Sequence, residues 1–470
     1  MNKAVILSRL NKWWQTGKVD SSFRYKAIRS EFELIKAALQ EERILSIIGP
    51  RRVGKSTLIY QTIDYLLKSK LSANRVLFFS GDDPLLFSDN CTIGDIIETY
   101  ANEILHESVY DLDERIYLFI DEIHVIKDWQ LWLKSYYDKK CKIKFVISGS
   151  SSTHLFDGSK GSLLGRYESV QVMPMSFFQF CSFWAVYNED EKVAAFLKEI
   201  PKGSIYTDLQ AYYSELEKKQ WILDEYKPYV NKALKEYLLI GGYPEYFVVK
   251  NHTLWQKRLV EDIIGQGLYR DIISIYHIKN PELLEKMLYL ITVTTGQQIN
   301  YTTISDTLGC DNETVSNYLS FLSKAYLVVA LDNFSTNVGK IIRKRKTVYT
   351  LDNGIGNALL HFSEIDETRE GHLIETLCVR DVLSVCEQNF WKLYYWRDGD
   401  DEVDIVVDKK TSVLPIEVKF RKETTSREDG VKKFIKKFSK KVKIEEAVLI
   451  TKDTLVKRDR IYHIPFWLTK

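Results

Sequence analysis

Proline and glycine are scarce in this sequence, at 9 and 22 of 470 residues, and it contains neither a low-complexity tract nor a fixed-period repeat. That excludes a collagen-like or solenoid architecture and confines any disorder to loops. No apolar run approaches the roughly 20 residues that span a bilayer. The N-terminal MNKAVILSRLNKWW carries only the short apolar stretch AVIL, so neither a signal peptide nor a membrane anchor is expected. The cysteines Cys91, Cys141, Cys181, Cys310, Cys378 and Cys386 form no CxxC pair and have no histidine at ligand spacing. A disulfide framework and a zinc site are set aside, and reduced thiols in a cytoplasm are the expectation. An excess of one charge is also missing: 66 Lys and Arg against 64 Asp and Glu leave +2, so partners must be read from local patches.

What is present is a chain about three times the usual domain length, with 45% hydrophobic and 28% charged residues, which implies two to four domains with real cores. From residue 43 short apolar runs (RILSII, RVLFFS, IYLFID, KFVISGS, ESVQVMP) alternate with amphipathic stretches at Ser56–Lys70, Thr92–Leu105 and Trp129–Lys139. This is the pattern of a doubly wound parallel sheet with helices on both faces. The first run leads directly into Gly49-Pro50-Arg51-Arg52-Val53-Gly54-Lys55-Ser56-Thr57 and then a helix. That turn aims backbone N–H groups and a helix N-terminus at a polyphosphate. Gly49 and Gly54 supply unusual dihedrals, Lys55 reaches the β- and γ-phosphates, and Ser56 is a ligand for Mg²⁺, so ATP with Mg²⁺ is the expected cofactor.

The strand Ile116–Ile120 delivers Asp121 and Glu122 to the sheet edge that holds the phosphates. Asp121 is expected to hold Mg²⁺ and Glu122 to polarise the attacking water, which makes hydrolysis the expectation. Ser148, at the end of the next strand, is a candidate γ-phosphate sensor, or simply a turn former like Ser150 and Ser151 beside it. Arg166, in the loop before Glu168–Pro174, is either an arginine finger acting on a neighbouring subunit's nucleotide in a homo-oligomer or half of a surface salt bridge.

Taken together, GPRRVGKST, IDEIHVIKDW, ISGSSS, LLGR and PMSFFQF resemble the bacterial and archaeal AAA-type ATPases whose C-terminal half is a domain of unknown function numbered 4143. GGYPE (Gly241–Glu245) and KTVYTLDNG (Lys346–Gly354) are similar to that family too. The resemblance covers most of the chain and implies architecture more than biology.

Residues 175 to about 290 are rich in helix formers and read as a helical lid, with GGYPE a rigid joint and Arg270-Asp271 an ion pair across the domain junction or an exposed one. Between 298 and 332, YTTISDTLG, a turn at Cys310-Asp311, NETVSNYLSFLSKAY and LVVAL outline a winged helix. Asp311 or Asn312 caps its second helix, Val315, Leu319 and Leu322 face inward, and Ser316, Asn317 and Ser320 face outward. Such modules bind DNA, bind protein or pack internally; the basic run Arg343-Lys344-Arg345-Lys346 favours DNA.

After Gly371 a new α/β pattern begins. A helix carrying Glu375 is followed by strands bearing Asp404 and then Glu417-Val418-Lys419. Residues two apart on a strand share a face, and a hairpin through DKKTS brings Asp404 beside Glu417 and Lys419. The order resembles the metal-dependent PD-(D/E)xK nuclease core. That resemblance implies Asp404 and Glu417 as Mg²⁺ or Mn²⁺ ligands with Glu375 completing the site, and Lys419 acting on the phosphate or the water. A degenerate DNA-binding remnant is the alternative. Downstream, VKKFIKKFSKKVK (Val431–Lys443) reads as an amphipathic basic helix, and residues 417–460 hold 15 Lys and Arg against 8 Asp and Glu. A phosphate backbone is the preferred partner, with a membrane surface or bare solvent as alternatives.

The fold class expected is therefore α/β: a P-loop doubly wound parallel sheet of AAA type with a helical lid, a winged helix and a restriction-endonuclease-like α/β domain. The boundaries are 1–40 helical lead-in, 41–180 ATPase core, 181–290 lid, 291–355 winged helix and 356–470 nuclease-like domain. DNA is the expected partner. A signalling or scaffold ATPase whose C-terminal domain only binds is the competing class.

Overall fold

The computed structural model describes residues 2–69, 71–87, 91–149, 163, 165–276, 278–337, 339, 341, 345–420 and 428–470, without the side chains of residues 270, 271, 274 and 275. Ser150, Ser151, Arg343, Lys344 and the side chains of Arg270 and Asp271 lie outside the described residues. The chain divides into two units, Met1–Met173 and Pro174–Lys470.

In the first unit the apolar runs become β1 (Ile44–Ile48), β2 (Val76–Ser80), β3 (Ile116–Asp121), β4 (Ile143–Gly149) and β5 (Tyr167–Gln171). All pair in parallel, in the order β2-β3-β4-β1-β5. β1 and β4 are buried throughout because helices cover both faces of the sheet. Lys144 on β4 is buried and reaches the carbonyls of Glu41 (2.9 Å) and Arg43 (2.5 Å). Crossovers run through the helices Lys55–Lys68, Ile93–Tyr100 and Trp129–Asp138; the second starts with a capping box between Thr92 and Asp95. The N-terminal lead-in covers edge strand β2. Asn11 exchanges hydrogen bonds with the Phe78 backbone (2.7 and 2.9 Å), and the indoles of Trp13 and Trp14 donate to the Val76 carbonyl. An otherwise exposed sheet edge is thereby occupied.

The second unit begins with helices, among them Phe177–Asn188, Glu191–Glu199, Leu209–Lys218 and Trp221–Ile240. Its strands are β6 (Gln297–Gln298), β7 (Val328–Asn333), β8 (Thr347–Thr350), β9 (Lys392–Asp398), β10 (Asp401–Asp408), β11 (Val413–Lys419), β12 (Ala447–Thr451), β13 (Val456–Arg458) and β14 (Ile461–Pro465). They form one nine-stranded sheet, β13-β14-β12-β11-β10-β9-β7-β8-β6. The expected boundary between 355 and 356 therefore falls inside a single sheet. β7 pairs in parallel with β9 through Asp332↔Tyr394 and Asn333↔Tyr395, and Phe334 packs into the core beside Phe434, Phe438 and Trp396.

The helices Tyr301–Leu308 and Asn312–Lys324 form where expected. Asp311 caps the second by accepting from the Thr314 N–H (2.6 Å). Val315, Leu319 and Leu322 are buried, Ser316, Asn317 and Ser320 exposed, as 3.6-residue periodicity requires.

The GGYPE and LDNG segments meet at a buried joint. Asp352, fully buried, accepts from the N–H groups of Gly242 (3.0 Å) and Gly354 (2.8 Å) and pairs with Arg380 (2.8 Å). Arg380 also pairs with Asp381 (2.6 Å) and donates to the Tyr237 hydroxyl. Gly241, at φ +78°, has no room for a side chain: a Cβ there would stand 1.8 Å from Asp352 Oδ1. The structural role expected of GGYPE is what the packing displays.

Candidate functional site: a phosphate loop and a buried carboxylate cluster

The first site sits where β1, β3 and β4 end together. Gly49 (φ +152°) passes so close to β5 that a Cβ would lie 2.0 Å from the Val172 carbonyl oxygen; Gly54 (φ +98°) starts the helix, and Arg52 is left-handed at φ +65°. These conformations curl the loop from Gly49 to Gly54 around its own centre. Lys55 is buried and donates to the carbonyls of Gly49 (3.0 Å) and Pro50 (2.8 Å). Val53 is buried under the loop, Ser56 is exposed at the first turn of the helix, and Pro50, Arg51 and Thr57 lie along the same curl.

A brace for this loop comes from outside the motif. Arg29, buried and paired with Glu31 (2.7 Å), donates to the carbonyls of Val53 (2.9 Å) and Met173 (2.7 Å). A charged side chain recruited from the lead-in thus holds the back of the phosphate loop. Its only sequence signal is an Arg-x-Glu spacing, too common to single out.

Behind the loop, Ser148 donates to Asp121 Oδ1, and the Glu122 N–H lies 3.1 Å from the same oxygen and 3.2 Å from Ser148 Oγ. β4 lies between β1 and β3, so Ser148 is interposed between the loop strand and the acidic strand. Glu122 adopts a left-handed conformation (φ +47°), and its Oε2 stands 3.3 Å from His124 Nδ1. Burial, followed by the charge of Asp121, pushes the Tyr60 phenol up to about 12. The exposed Ser56 hydroxyl and the Asp121 carboxylate are hard oxygen donors of the kind Mg²⁺ takes, so this end of the sheet fits a magnesium nucleotide. Bound there, the ion would supply charge neutralisation at the phosphates.

Arg166 is elsewhere. It precedes β5, its carbonyl accepts from Ile44 at the start of β1, and its guanidinium pairs with Asp138 through Nε (2.6 Å) and a terminal nitrogen (3.2 Å). It therefore lies at the sheet edge opposite its own phosphate loop, with the geometry of the salt bridge that was the alternative.

The second site lies in the sheet of the second unit. Ile405 faces Ile416 in the β10–β11 register, and one residue further sets Asp404 opposite Glu417 on the same face. The pairing of β10 with β9 slips between Val403 and Val406, a bulge that turns the strand at Asp404. Asp404 Oδ2 accepts from the Val418 N–H (2.7 Å), Glu417 Oε1 pairs with Lys419 Nζ (2.7 Å), and Glu375 Oε1 accepts from the Tyr349 hydroxyl (2.7 Å). Glu417 Oε2 is buried without a hydrogen-bond partner.

Gly430 permits this arrangement. A Cβ there would stand 2.1 Å from the Glu402 carbonyl oxygen and 2.9 Å from Glu417 Oε2.

Burial dominates the electrostatics. It pushes Glu375 up to about 8, reinforced by the charge of Asp404. Burial likewise raises Glu417 to about 7 and Asp404 to about 6, with Lys419 opposing in both cases. For Lys419 burial opposes the charge, but Glu417 and Asp404 outweigh it and its pKa is raised.

The four expected residues are thus brought into one electrostatic cluster. Glu375, Asp404 and Glu417 are metal ligands by expectation alone, and among the described residues no group of three or more His, Cys, Asp or Glu stands ready-made around a metal position. The reason is visible in the contacts, since each carboxylate already accepts from a protein donor. The chemistry of the cluster still suits a hard cation, given three oxygen acids and an unsatisfied Glu417 Oε2.

The basic helix is Asp429–Phe438, shorter than the expected 431–443. Val431, Phe434 and Phe438 are buried in the core under the sheet, which removes the face a membrane would need. Lys432, Lys433, Lys437 and Lys443 pair with Glu428, Asp401, Asp398 and Glu445. The exposed Lys436, Lys440 and Lys441 enter no ion pair among the described residues. No helix among the described residues is long and apolar enough to cross a membrane, and Cys141, Cys181, Cys310, Cys378 and Cys386 form no disulfide among the described residues.

A parallel sheet with β4 between the phosphate-loop strand and the acidic strand defines a P-loop domain of the AAA ATPase type. Residues 41–181 match the family model described as an AAA domain. Residues 370–468 match the domain of unknown function DUF4143, so the chain carries the AAA domain and DUF4143 pairing that its motifs resembled. Residues 231–366, which include both GGYPE and LDNG, match a separate domain of unknown function, DUF8612. The chain is 24% identical over 466 residues to the uncharacterized protein MJ1637 of Methanocaldococcus jannaschii, covering 98% of this chain and 90% of that one. It is 22% identical to an uncharacterized protein of Haemophilus influenzae, covering 82% and 84%. Among solved structures it is similar to the Walker-type ATPase paby2304 of Pyrococcus abyssi, at 14% identity, covering 72% of this chain and 99% of that one, with a TM-score of 0.43.

Proposed function

We propose that the protein hydrolyses ATP with Mg²⁺ in a cytoplasmic setting and couples that cycle to binding and processing DNA, the second unit cleaving phosphodiester bonds with a divalent cation. The ATPase half rests on Asp121, Glu122 and Ser148 converging at the strand ends beside a loop in which Gly49 has no room for a side chain and Gly54 is left-handed. The DNA half is carried by one observation: Asp404, Glu417 and Lys419 share a face of two adjacent strands, with Glu375 delivered to them from the helix Glu367–Asn389. Lys419 is the cation available to a scissile phosphate, and Glu417 and Asp404 are the acids able to orient a water. Lys436, Lys440 and Lys441 supply backbone contacts.

The test is cleavage of plasmid and forked DNA with Mg²⁺ or Mn²⁺ by the full chain, alongside ATPase assays. Cleavage is expected to vanish in Asp404→Ala and Lys419→Ala while ATP hydrolysis persists. Absence of both DNA affinity at low salt and DNA-stimulated ATPase would sink the proposal.

A second reading draws on the internal pairing of the three carboxylates: a switch ATPase whose second unit binds without cutting. Retained DNA affinity with no cleavage under any divalent cation would favour it.

A further inference from the structure

The carboxylate cluster contains a residue of the KTVYTLDNG segment to which the sequence alone assigned no role. Tyr349 belongs to β8, within the 291–355 segment expected to be a separate winged-helix domain. Its ring is buried, at 2% exposure, and its hydroxyl donates to Glu375 Oε1 at 2.7 Å. Gly296, at φ +80°, lines the same spot: a Cβ there would lie 3.4 Å from the Tyr349 ring and 3.7 Å from Glu375 Oε1. Glu375 sits one turn below Val379 on a helix whose neighbouring residues Ile374, Thr376, Leu377 and Cys378 are all buried.

We infer that Tyr349 is a positioning residue for Glu375, so that the candidate site is composite, assembled from β8 as well as from β10, β11 and the Glu367–Asn389 helix. The inference rests on the metal-dependent reading of that site. A carboxylate has two oxygens and rotates about its last torsion, so committing one oxygen to a rigid, buried phenol selects where the other points. A tyrosine suits the task better than serine or lysine because its hydroxyl is placed by a buried ring with little freedom of its own. The pairing also explains why the 291–355 segment shares a sheet with the C-terminal strands: a hydrogen bond across two independently moving domains could not hold an acid to the tolerance that metal or water chemistry demands. Tyr349 touches no reacting atom in this account and acts only through Glu375.

The experiment is Mn²⁺ titration of the full chain without nucleotide, by calorimetry, with Asp404→Ala as the blank. Tyr349→Phe keeps the ring and removes only the hydroxyl. It is expected to weaken Mn²⁺ binding about 10- to 100-fold and to lower kcat for DNA cleavage with KM unchanged. In a Glu375→Gln background the same substitution is expected to have no further effect, whereas a loss caused by general loosening of the fold would persist there. Mn²⁺ affinity of Tyr349→Phe equal to that of the unmodified chain, or a full additional loss in the Glu375→Gln background, overturns the inference alone. Equal Mn²⁺ binding by the unmodified chain and Asp404→Ala removes the metal-dependent reading, and the inference with it.

Discussion

Replacing Arg380 with methionine removes the centre of the buried joint while keeping most of the side chain's bulk. The guanidinium is 1% exposed and touches Asp352, itself 0% exposed, together with Asp381 and the Tyr237 hydroxyl. Without it, Asp352 is left with an unpaired carboxyl that water does not reach and the partly exposed Asp381 loses its partner; the cost of stranding a buried charge is about 3–5 kcal/mol. For a unit of this size each kcal/mol moves the melting temperature by about 2–4 °C, so the expected drop is roughly 6–20 °C at neutral pH.

The pH dependence has a defined sign. Burial raises both Asp352 and Asp381 above the ordinary carboxylate range, with Arg380 pulling both down. Removing Arg380 raises them further. A carboxyl whose folded pKa is raised contributes stability below its unfolded value, about 3.9, and loses that contribution as pH rises through the folded value. The deficit of Arg380→Met is therefore smallest near pH 4 and largest at neutral pH. Urea denaturation at several pH values, with ATP binding as the control for the first unit, measures it. A deficit under about 1 kcal/mol at pH 7, or one that does not change with pH, would refute the account of the joint.

Four further outcomes are expected. Glu122→Gln retains nucleotide binding but loses about 10²- to 10⁴-fold in ATP hydrolysis, the usual worth of a general base, as measured by phosphate release. Gly430→Ala drives a methyl group against the Glu402 carbonyl and Glu417. It should destabilise the second unit by about 1–3 kcal/mol in denaturant melts, with DNA cleavage falling alongside. Arg166→Ala breaks a half-exposed pair with Asp138, which costs at most about 1 kcal/mol and leaves ATPase activity intact. A large ATPase loss, restored by mixing with Lys55→Ala chains, would instead establish nucleotide sites shared between subunits. Alanine at Lys436, Lys440 and Lys441 together should flatten the dependence of log DNA affinity on log salt by about 2–3 in slope, near 0.9 for each phosphate no longer neutralised; an unchanged slope places the DNA elsewhere.

Most of the first unit was legible because its signals are local. β1, β3 and β4 are predominantly apolar runs, and the glycines and lysine of the phosphate loop fall directly between a strand and a helix. Asp404, Glu417 and Lys419 were legible for the same reason, since alternation along a strand and a short hairpin determine which side chains meet. Arg29 and Tyr349 were not. Each acts on residues far away in sequence, Arg29 on Met173 and Tyr349 on Glu375, and a buried arginine or tyrosine carries no periodic mark of its partner. That the stretches on either side of residue 355 share strands of one sheet was hidden for a related reason. A parallel pairing as short as Asp332↔Tyr394 and Asn333↔Tyr395 leaves almost nothing in composition to show that two stretches of chain share one sheet.

That short seam bears on how the second unit works as one body. Beyond the two paired residues, Asn333 Nδ2 donates to the Arg397 carbonyl (3.1 Å), the Phe334 N–H donates to the Tyr395 carbonyl (2.6 Å), and Phe334 lies within 5.5 Å of Phe434 and 5.2 Å of Phe438 between ring centres. Phe434 and Phe438 are the buried face of the helix that bears Lys433, Lys436 and Lys437. The Asn312–Lys324 helix, whose exposed face carries Ser316, Asn317 and Ser320, leads straight into β7 and so to the same seam. A ligand that shifted that helix would have to move β7, and β7 cannot move without disturbing Phe334 and the underside of the basic helix, because close-packed interiors repack in discrete steps and do not stretch. The helix-and-strand segment and the basic helix therefore share one packed seam at Phe334, and a substitution such as Phe334→Ala is expected to disturb both together.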